Sequence, residues 1–272
     1  IIKRCELTED EEKRIIDYCR QKNIIFLSTP FSREACDRLE SMDVQAYKIG
    51  SGECNNLPLI HYVASKNKPI ILSTGMNDMN SISKTVQIIK SHNTPLILLH
   101  CTSMYPTPYD KVRLGAINDL QDNFPDIPVG FSDHSLGIAA SLGSIALGSC
   151  IIEKHFTISR SWPGPDTGIS IEPNELKSLI EHSKQIWESR GGSKNILEEE
   201  KPVIDFAYAS VVSIKSIKKG EKFSLDNIWV KRPGNGELLS DKFDKILGTT
   251  AQQDISLNSQ ISLKDIDHSI KF

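Results

Sequence analysis

The sequence predicts an α/β fold: a (β/α)8 TIM barrel followed by a small β-rich module. Three observations predict it. Between residues 24 and 157, six short β-rich runs alternate with helix-like amphipathic stretches, the signature of βαβ units. The runs are continuously apolar rather than alternating, as when both faces of a parallel sheet are covered. Each run also ends in polar side chains. A (β/α)8 barrel keeps its chemistry at the C-terminal strand ends, all facing one mouth. A doubly wound open sheet offers only one crevice.

The elements follow in order. TEDEEKRIIDYCRQK opens with Thr8 and has Glu11 three residues on, a capping box that starts a helix. IIFLSTP (24–30) is the first strand-like run and ends in Ser28 and Thr29. SREACDRLESM is helical, and AYKIGSG (46–52) carries Lys48 and Ser51, with Glu53 just beyond. LPLIHYVASKN leads to PIILSTG (69–75), with Ser73 and Thr74 at its tip. SISKTVQIIKSH leads to LILLHCTS (96–103), ending in Thr102 and Ser103. VGFSDHS (129–135) ends in Ser132, Asp133 and His134. LGIAASLGSIALGS separates it from CIIEKHFT (150–157), which ends in Lys154 and His155. A barrel needs eight strands and six are counted. The chain begins at Ile1 without an initiator Met, so the first two strands are expected upstream of it.

After residue 188 the pattern changes. RGGSKNILEEEKPVIDF reads as a connector. SVVSIKSIKKGEKFS, NIWVKRPGNGELLS and ISLNSQISLKDI read as short strand-like pieces with turn glycines. The expected organisation is a barrel domain over 1–188, a linker over 189–208 and a compact β-rich domain over 209–272.

Composition narrows the function classes. The 272 residues are 39% hydrophobic and 25% charged, with a formal net charge of −3, as in an ordinary globular protein. No block of like charge suggests nucleic acid or anionic membrane as a partner. No apolar run approaches the roughly 20 residues that span a bilayer. IIKRCELTED shows no signal-peptide pattern. Cys5, Cys19, Cys36, Cys54, Cys101 and Cys150 are scattered, with no C-x-x-C pair, which fits reduced thiols in a cytoplasmic protein.

Seven motifs, in order, carry a resemblance: YKIGSGECNN, ILSTGMN, LLHCTSMYPTP, GFSDHSLG, IEKHFT, PGPD and KRPGNGE. Together they closely resemble the bacterial N-acetylneuraminate (sialic acid) synthase family, and the similarity extends over essentially the whole chain. The C-terminal module is similar to that family's antifreeze-like (SAF) domain. The resemblance implies a metal-dependent transferase that condenses phosphoenolpyruvate with N-acetylmannosamine, releasing phosphate, and a barrel that begins with two more strands.

It also implies roles. His134 and His155 would be the metal ligands, for Mn²⁺ first and Mg²⁺ or Co²⁺ otherwise; imidazoles suit such ions and leave positions open for water and substrate. Glu53 would hold a metal-bound water or a substrate hydroxyl. Lys48, Ser51, Thr29, Ser73 and Ser132 would cradle phosphoenolpyruvate, since a multiply charged anion needs a cation and several hydroxyl and N–H donors. The family places an asparagine where Ser103 stands, so Ser103 is left out. Tyr105 and Asp166 would contact the sugar, with Phe206 as an apolar wall. Arg232 would leave the small domain of one chain and reach the site of its partner in a domain-swapped homodimer. The GNG after it is expected to supply backbone freedom.

Three rivals stand beside this reading. Legionaminic and pseudaminic acid synthases share the scaffold with related acetamido sugars; SGECNN favours the sialic acid branch, whereas TGISIEP after PGPD departs from it. A Schiff-base pyruvate aldolase would need a lysine deep in the barrel, and Lys48 and Lys154 are the candidates. A non-catalytic glycan- or ice-binding protein would use only the small domain.

Overall fold

The computed structural model describes residues 6–267. They form two compact units, Ile1–Gly191 and Gly192–Phe272. The first is built from α1 (Glu9–Gln21), α2 (Arg33–Ser41), β1 (Tyr47–Ile49), α3 (Leu57–Ala64), β2 (Ile70–Ser73), α4 (Met79–Ser91), β3 (Leu96–Cys101), α5 (Tyr109–Val112), α6 (Gly115–Asn123), β4 (Val129–Asp133), α7 (Ala139–Ala146), β5 (Ile152–Lys154) and α8 (Pro173–Ser189). The five strands pair in the order β1-β2-β3-β4-β5, every pair parallel. This is the strand–helix alternation of a barrel wall, and five parallel strands are its portion among the described residues.

Local chemistry explains the elements. Thr8 accepts from the Glu11 N–H and Glu11 accepts from the Thr8 N–H, so the capping box of α1 is made. In β1, Tyr47 and Ile49 are fully buried against the helices, while Lys48 between them takes the opposite face. Ile70, Leu72, Leu98, Val129 and Phe131 extend the same core, which α3, α4 and α6 close with Ile60, Val63, Ile89 and Ile117. Burial of each such side chain is worth about 1.5–3 kcal/mol relative to exposure.

Three sequence expectations need correction. Residues 24–30 are not a strand. Their link to β1 is the Lys48 N–H to the Ser28 carbonyl at 3.2 Å, and Ile24, Ile25 and Leu27 are exposed. One bond does not make a ladder, and apolar β-formers settle into a strand only where a neighbour covers them. The helices α6 and α8 are additional. Ile117, Leu120 and Phe124 mark the first at helical spacing. Pro173 and a reciprocal Glu172–Glu175 cap mark the start of the second.

The second unit contains α9 (Lys201–Ala207), β6 (Ser210–Ser213), β7 (Ile228–Lys231) and α10 (Phe243–Ile246). Strands β6 and β7 pair antiparallel; the other strand-like pieces contribute only isolated bridges such as Ile217–Ile255 and Lys222–Thr250. Val211, Ile217, Phe223, Ile228, Ile255 and Ile261 lie in its separate core. Residues 198–207, read from sequence as part of a connector, are a 3₁₀ turn running into α9. The glycines of GNG also act differently from expectation. Neither has positive φ; a β-carbon at Gly234 would lie 2.4 Å from Tyr208 Cβ, and one at Gly236 would lie 2.8 Å from Ser210 Oγ. They permit close packing rather than backbone freedom. Among the described residues, no helix is long and apolar enough to cross a membrane.

Candidate active site

The tips of β1, β2, β4 and β5 bring four side chains into one hydrogen-bonded row. Lys48 Nζ donates to Ser73 Oγ at 2.9 Å and to the Ile49 carbonyl at 3.2 Å, and it lies 3.3 Å from Glu153 Oε2. Ser132 Oγ donates to Glu153 Oε1 at 2.7 Å. The strand register makes the row: Ser132 and Glu153 are paired positions on β4 and β5. Lys48 is therefore a nearly buried cation held by one carboxylate and one hydroxyl. An arriving anion would find a cation already positioned, and would compete with Glu153 for it.

Beyond the row stand the imidazoles. His134 and His155 follow directly after β4 and β5, with ring centroids 5.3 Å apart. The Tyr105 ring lies 4.2 Å from that of His134 and 5.9 Å from that of His155. His134 Nδ1 is 2.9 Å from the Thr102 carbonyl, so the proton is assigned to Nδ1 and the lone pair of the neutral ring to Nε2. Asp166 Oδ2 is 3.8 Å from His155 Nδ1. Burial, and then the neighbouring His134, push the His155 imidazole below its ordinary value, which favours its neutral form. Burial would also push His134 down, but contact with the Cys101 thiol and the bond to Thr102 carry it upward instead.

This donor set fits a divalent ion. A main-chain carbonyl orients one imidazole in the manner typical of ligating histidines, and the second is biased toward neutrality. No cluster of three or more His, Cys, Asp or Glu side chains that could hold a metal occurs among the described residues. Two imidazoles would therefore be the protein's share, leaving the other positions to water or substrate.

The other sequence-predicted residues fall around this centre. Ser51 Oγ accepts from the Gly75 N–H at 3.0 Å. Gly75 admits this approach because a β-carbon there would stand 2.5 Å from Ser103 Oγ and 2.8 Å from Ser51 Oγ. Glu53 accepts from Asn56 Nδ2 at 2.6 Å, and Asn56 caps α3, so this carboxylate is anchored at the first turn of that helix. Thr29 is half-buried in the irregular run beside β1. Phe206, on α9, and Arg232, directly after β7, are exposed residues of the second unit.

Two residues at the centre were not singled out from sequence. Glu153 stands two positions before His155 and so shares its strand face. Cys101, at the tip of β3, places Sγ 3.7 Å from His134 Nδ1. Burial raises that thiol, but contacts with His134 and with the Ser51 and Ser132 hydroxyls bring it below its usual value. The spacing E-x-H was the available signal for the first; nothing in the sequence marked the second.

The opposite face of the same strands holds a buried ion pair. Lys154 Nζ lies 2.9 Å from Asp133 Oδ2, with side-chain exposures of 3% and 0%, and donates to the Ser135 carbonyl. Asp133 also accepts from Ser141 Oγ and from the Ser135 N–H. Lys154 is thus turned away from the row and held on the far face by Asp133 and the Ser135 carbonyl.

Comparison with known proteins gives the family. Residues 1–195 match the model of the NeuB family and residues 208–267 that of the SAF domain. The chain is 40% identical over 255 residues to an N,N'-diacetyllegionaminic acid synthase of Campylobacter jejuni, covering 92% of this chain and 76% of that one. It is 34% identical over 227 residues to the N-acetylneuraminate-9-phosphate synthase of Mus musculus, covering 83% and 63%. Among solved structures, an N-acetylneuraminic acid synthetase of Leptospira borgpetersenii superposes with a TM-score of 0.70 at 35% identity, covering 73% of this chain and 70% of that one.

Proposed function

The chain belongs to the NeuB family, and from that premise we propose that it condenses phosphoenolpyruvate with the open-chain aldehyde of an acetamido sugar, N-acetylmannosamine being the first candidate, to give a nine-carbon keto acid and phosphate. The observation that supports this most is the juxtaposition of a cation row with an imidazole pair at neighbouring strand tips. Two reactants, one a multiply charged anion and the other an aldehyde, match the two halves.

Lys48, Ser73 and Ser132 bind the anionic pyruvyl half, with Ser51 and Thr29 beside them. Glu153 holds Lys48 and Ser132 in place until the anion takes over part of the cation. A divalent ion held by His134 and His155, when bound, supplies Lewis-acid polarisation of the aldehyde oxygen. C3 of phosphoenolpyruvate forms the new bond to the aldehyde carbon. Water adds to the positive charge left at C2, and the resulting tetrahedral centre expels phosphate by C–O cleavage. Tyr105 and Asp166 border the sugar, where Asp166 can orient a hydroxyl. The row fixes one reactant against the other, which is where most of the entropic advantage lies.

A diacetylated sugar leading to legionaminic acid is the second reading, favoured by the 40% identity to a synthase of that name. The test is phosphate release from phosphoenolpyruvate with a panel of acetamido aldoses, with product masses and reaction in ¹⁸O-water. N-acetylmannosamine is expected to give the highest kcat/KM, with the label in the keto acid and none in the phosphate. Label in phosphate, or no turnover with any sugar, would overturn the proposal.

A further inference from the structure

A second imidazole pair lies on the outer surface, where the proposed reaction has no use for it. His61 projects from α3, and His92 is the residue that ends α4. Nδ1 of His61 stands 3.1 Å from Nε2 of His92. The rings meet edge to face, with centroids 5.4 Å apart and planes at 76°. Ser65 and Tyr62 flank them in an open groove of about 650 Å³.

The two backbones that carry the pair are fixed. Helices α3 and α4 pack on each other, and Ile60, Val63 and Ile89 are wholly buried in the core beneath them. Just past His92, the buried Thr94 hydroxyl donates to the Ala64 carbonyl at 2.9 Å, tying the end of α4 to the end of α3. The nearby Lys66 ammonium is bound by Asp37 at 2.6 Å, so its charge is neutralised locally.

The 3.1 Å separation is informative. Two metal–nitrogen bonds of about 2.0–2.1 Å would subtend that chord at an angle of about 98°. This lies between the 90° of a square or octahedral site and the 109° of a tetrahedral one. We infer that His61 and His92 form a chelating pair for a borderline divalent transition ion, with Cu²⁺ bound more tightly than Ni²⁺ or Zn²⁺. Each ring turns one lone pair to the ion and keeps its other nitrogen protonated. The ion replaces the shared proton of an N–H···N bond by a change of tautomer. Water from the open groove completes the coordination.

The experiment titrates the chelator-stripped protein with Cu²⁺ alone, reading bound equivalents by calorimetry and nitrogen coordination by electron paramagnetic resonance. It is run on the unaltered chain and on a His134→Ala/His155→Ala chain, so the strand-tip pair is counted separately. His61→Gln and His92→Gln are each expected to remove one nitrogen-coordinated equivalent in both backgrounds, with an unchanged circular dichroism spectrum. Loss of that equivalent in the unaltered background alone suffices if the double variant does not fold. An unchanged number of equivalents in either surface variant would overturn the inference. So would the absence of bound Cu²⁺ from the unaltered chain, leaving the contact as a hydrogen bond only.

Discussion

At the scale of single residues, the site divides into an anion half and an imidazole half, and the two fail differently when altered. Lys48→Ala removes a charge-assisted bond worth roughly 1.5–3 kcal/mol. The KM for phosphoenolpyruvate should rise about 10- to 150-fold while the KM for the sugar changes little. Steady-state kinetics with each substrate varied will show this, and equal effects on both would place Lys48 outside the cradle. His134→Ala and His155→Ala should each abolish turnover, and chelation should silence the unaltered protein; full activity after exhaustive chelation would refute the metal role. His134 and His155 stood out in the sequence because an imidazole closing an apolar run is conspicuous, whereas Lys48, inside the run AYKIGSG, was named through the family resemblance. Glu153 and Cys101 were not. Their importance comes from which strand lies beside which, as in the Ser132–Glu153 pairing, and only the assembled sheet states that register.

At the scale of elements, β4 and β5 work as one piece. Asp133 and Lys154 are paired positions, each directly before one of the strand-tip histidines. Asp133→Asn would leave a buried ammonium without its counter-charge, at a cost of about 3–5 kcal/mol. For a domain of this size, roughly 2–4 °C is lost per kcal/mol, so the thermal midpoint should fall by about 6–20 °C. Adding Lys154→Met should restore much of it, because the uncompensated charge is then gone. A double variant no more stable than Asp133→Asn would show that the pair is not coupled. Elements with continuous apolar runs or a capping box, such as β2, β3 and α1, could be read directly. The run 24–30 could not, because its composition is strand-like and the deciding factor is a covering neighbour. Helix α6 was hidden by its mixed composition, although its buried Ile117 and Leu120 keep helical spacing.

At the scale of the whole molecule, two units with separate cores invite division of labour. The barrel-like unit holds the row and the imidazoles; the SAF domain holds Arg232 and, just before it, α9 with Phe206. We propose that the protein works as a homodimer in which Arg232 of one chain serves the His134/His155 site of the other. Arg232→Ala and His155→Ala chains should each be nearly inactive. Mixed and allowed to exchange, they should recover up to about a quarter of full activity, since half of the dimers are mixed and each has one intact site of two. Tagged chains verify exchange, and no recovery would mean that Arg232 acts within its own chain or not at all.

The odd–even layout of β4 and β5 has a consequence for how the chain finds its fold. Side chains alternate along a strand, so a slip of one residue between these strands would carry every group to the wrong face. Here such a slip would also strand Lys154 and Asp133 apart in an apolar interior, an error far costlier than a misplaced leucine. The buried pair should therefore disfavour a slipped register. An Asp133→Leu/Lys154→Met chain tests this apart from stability. It should keep its thermal midpoint within a few degrees yet refold from denaturant in lower yield, with more aggregate. Refolding as complete as that of the unaltered protein would show that register is enforced elsewhere.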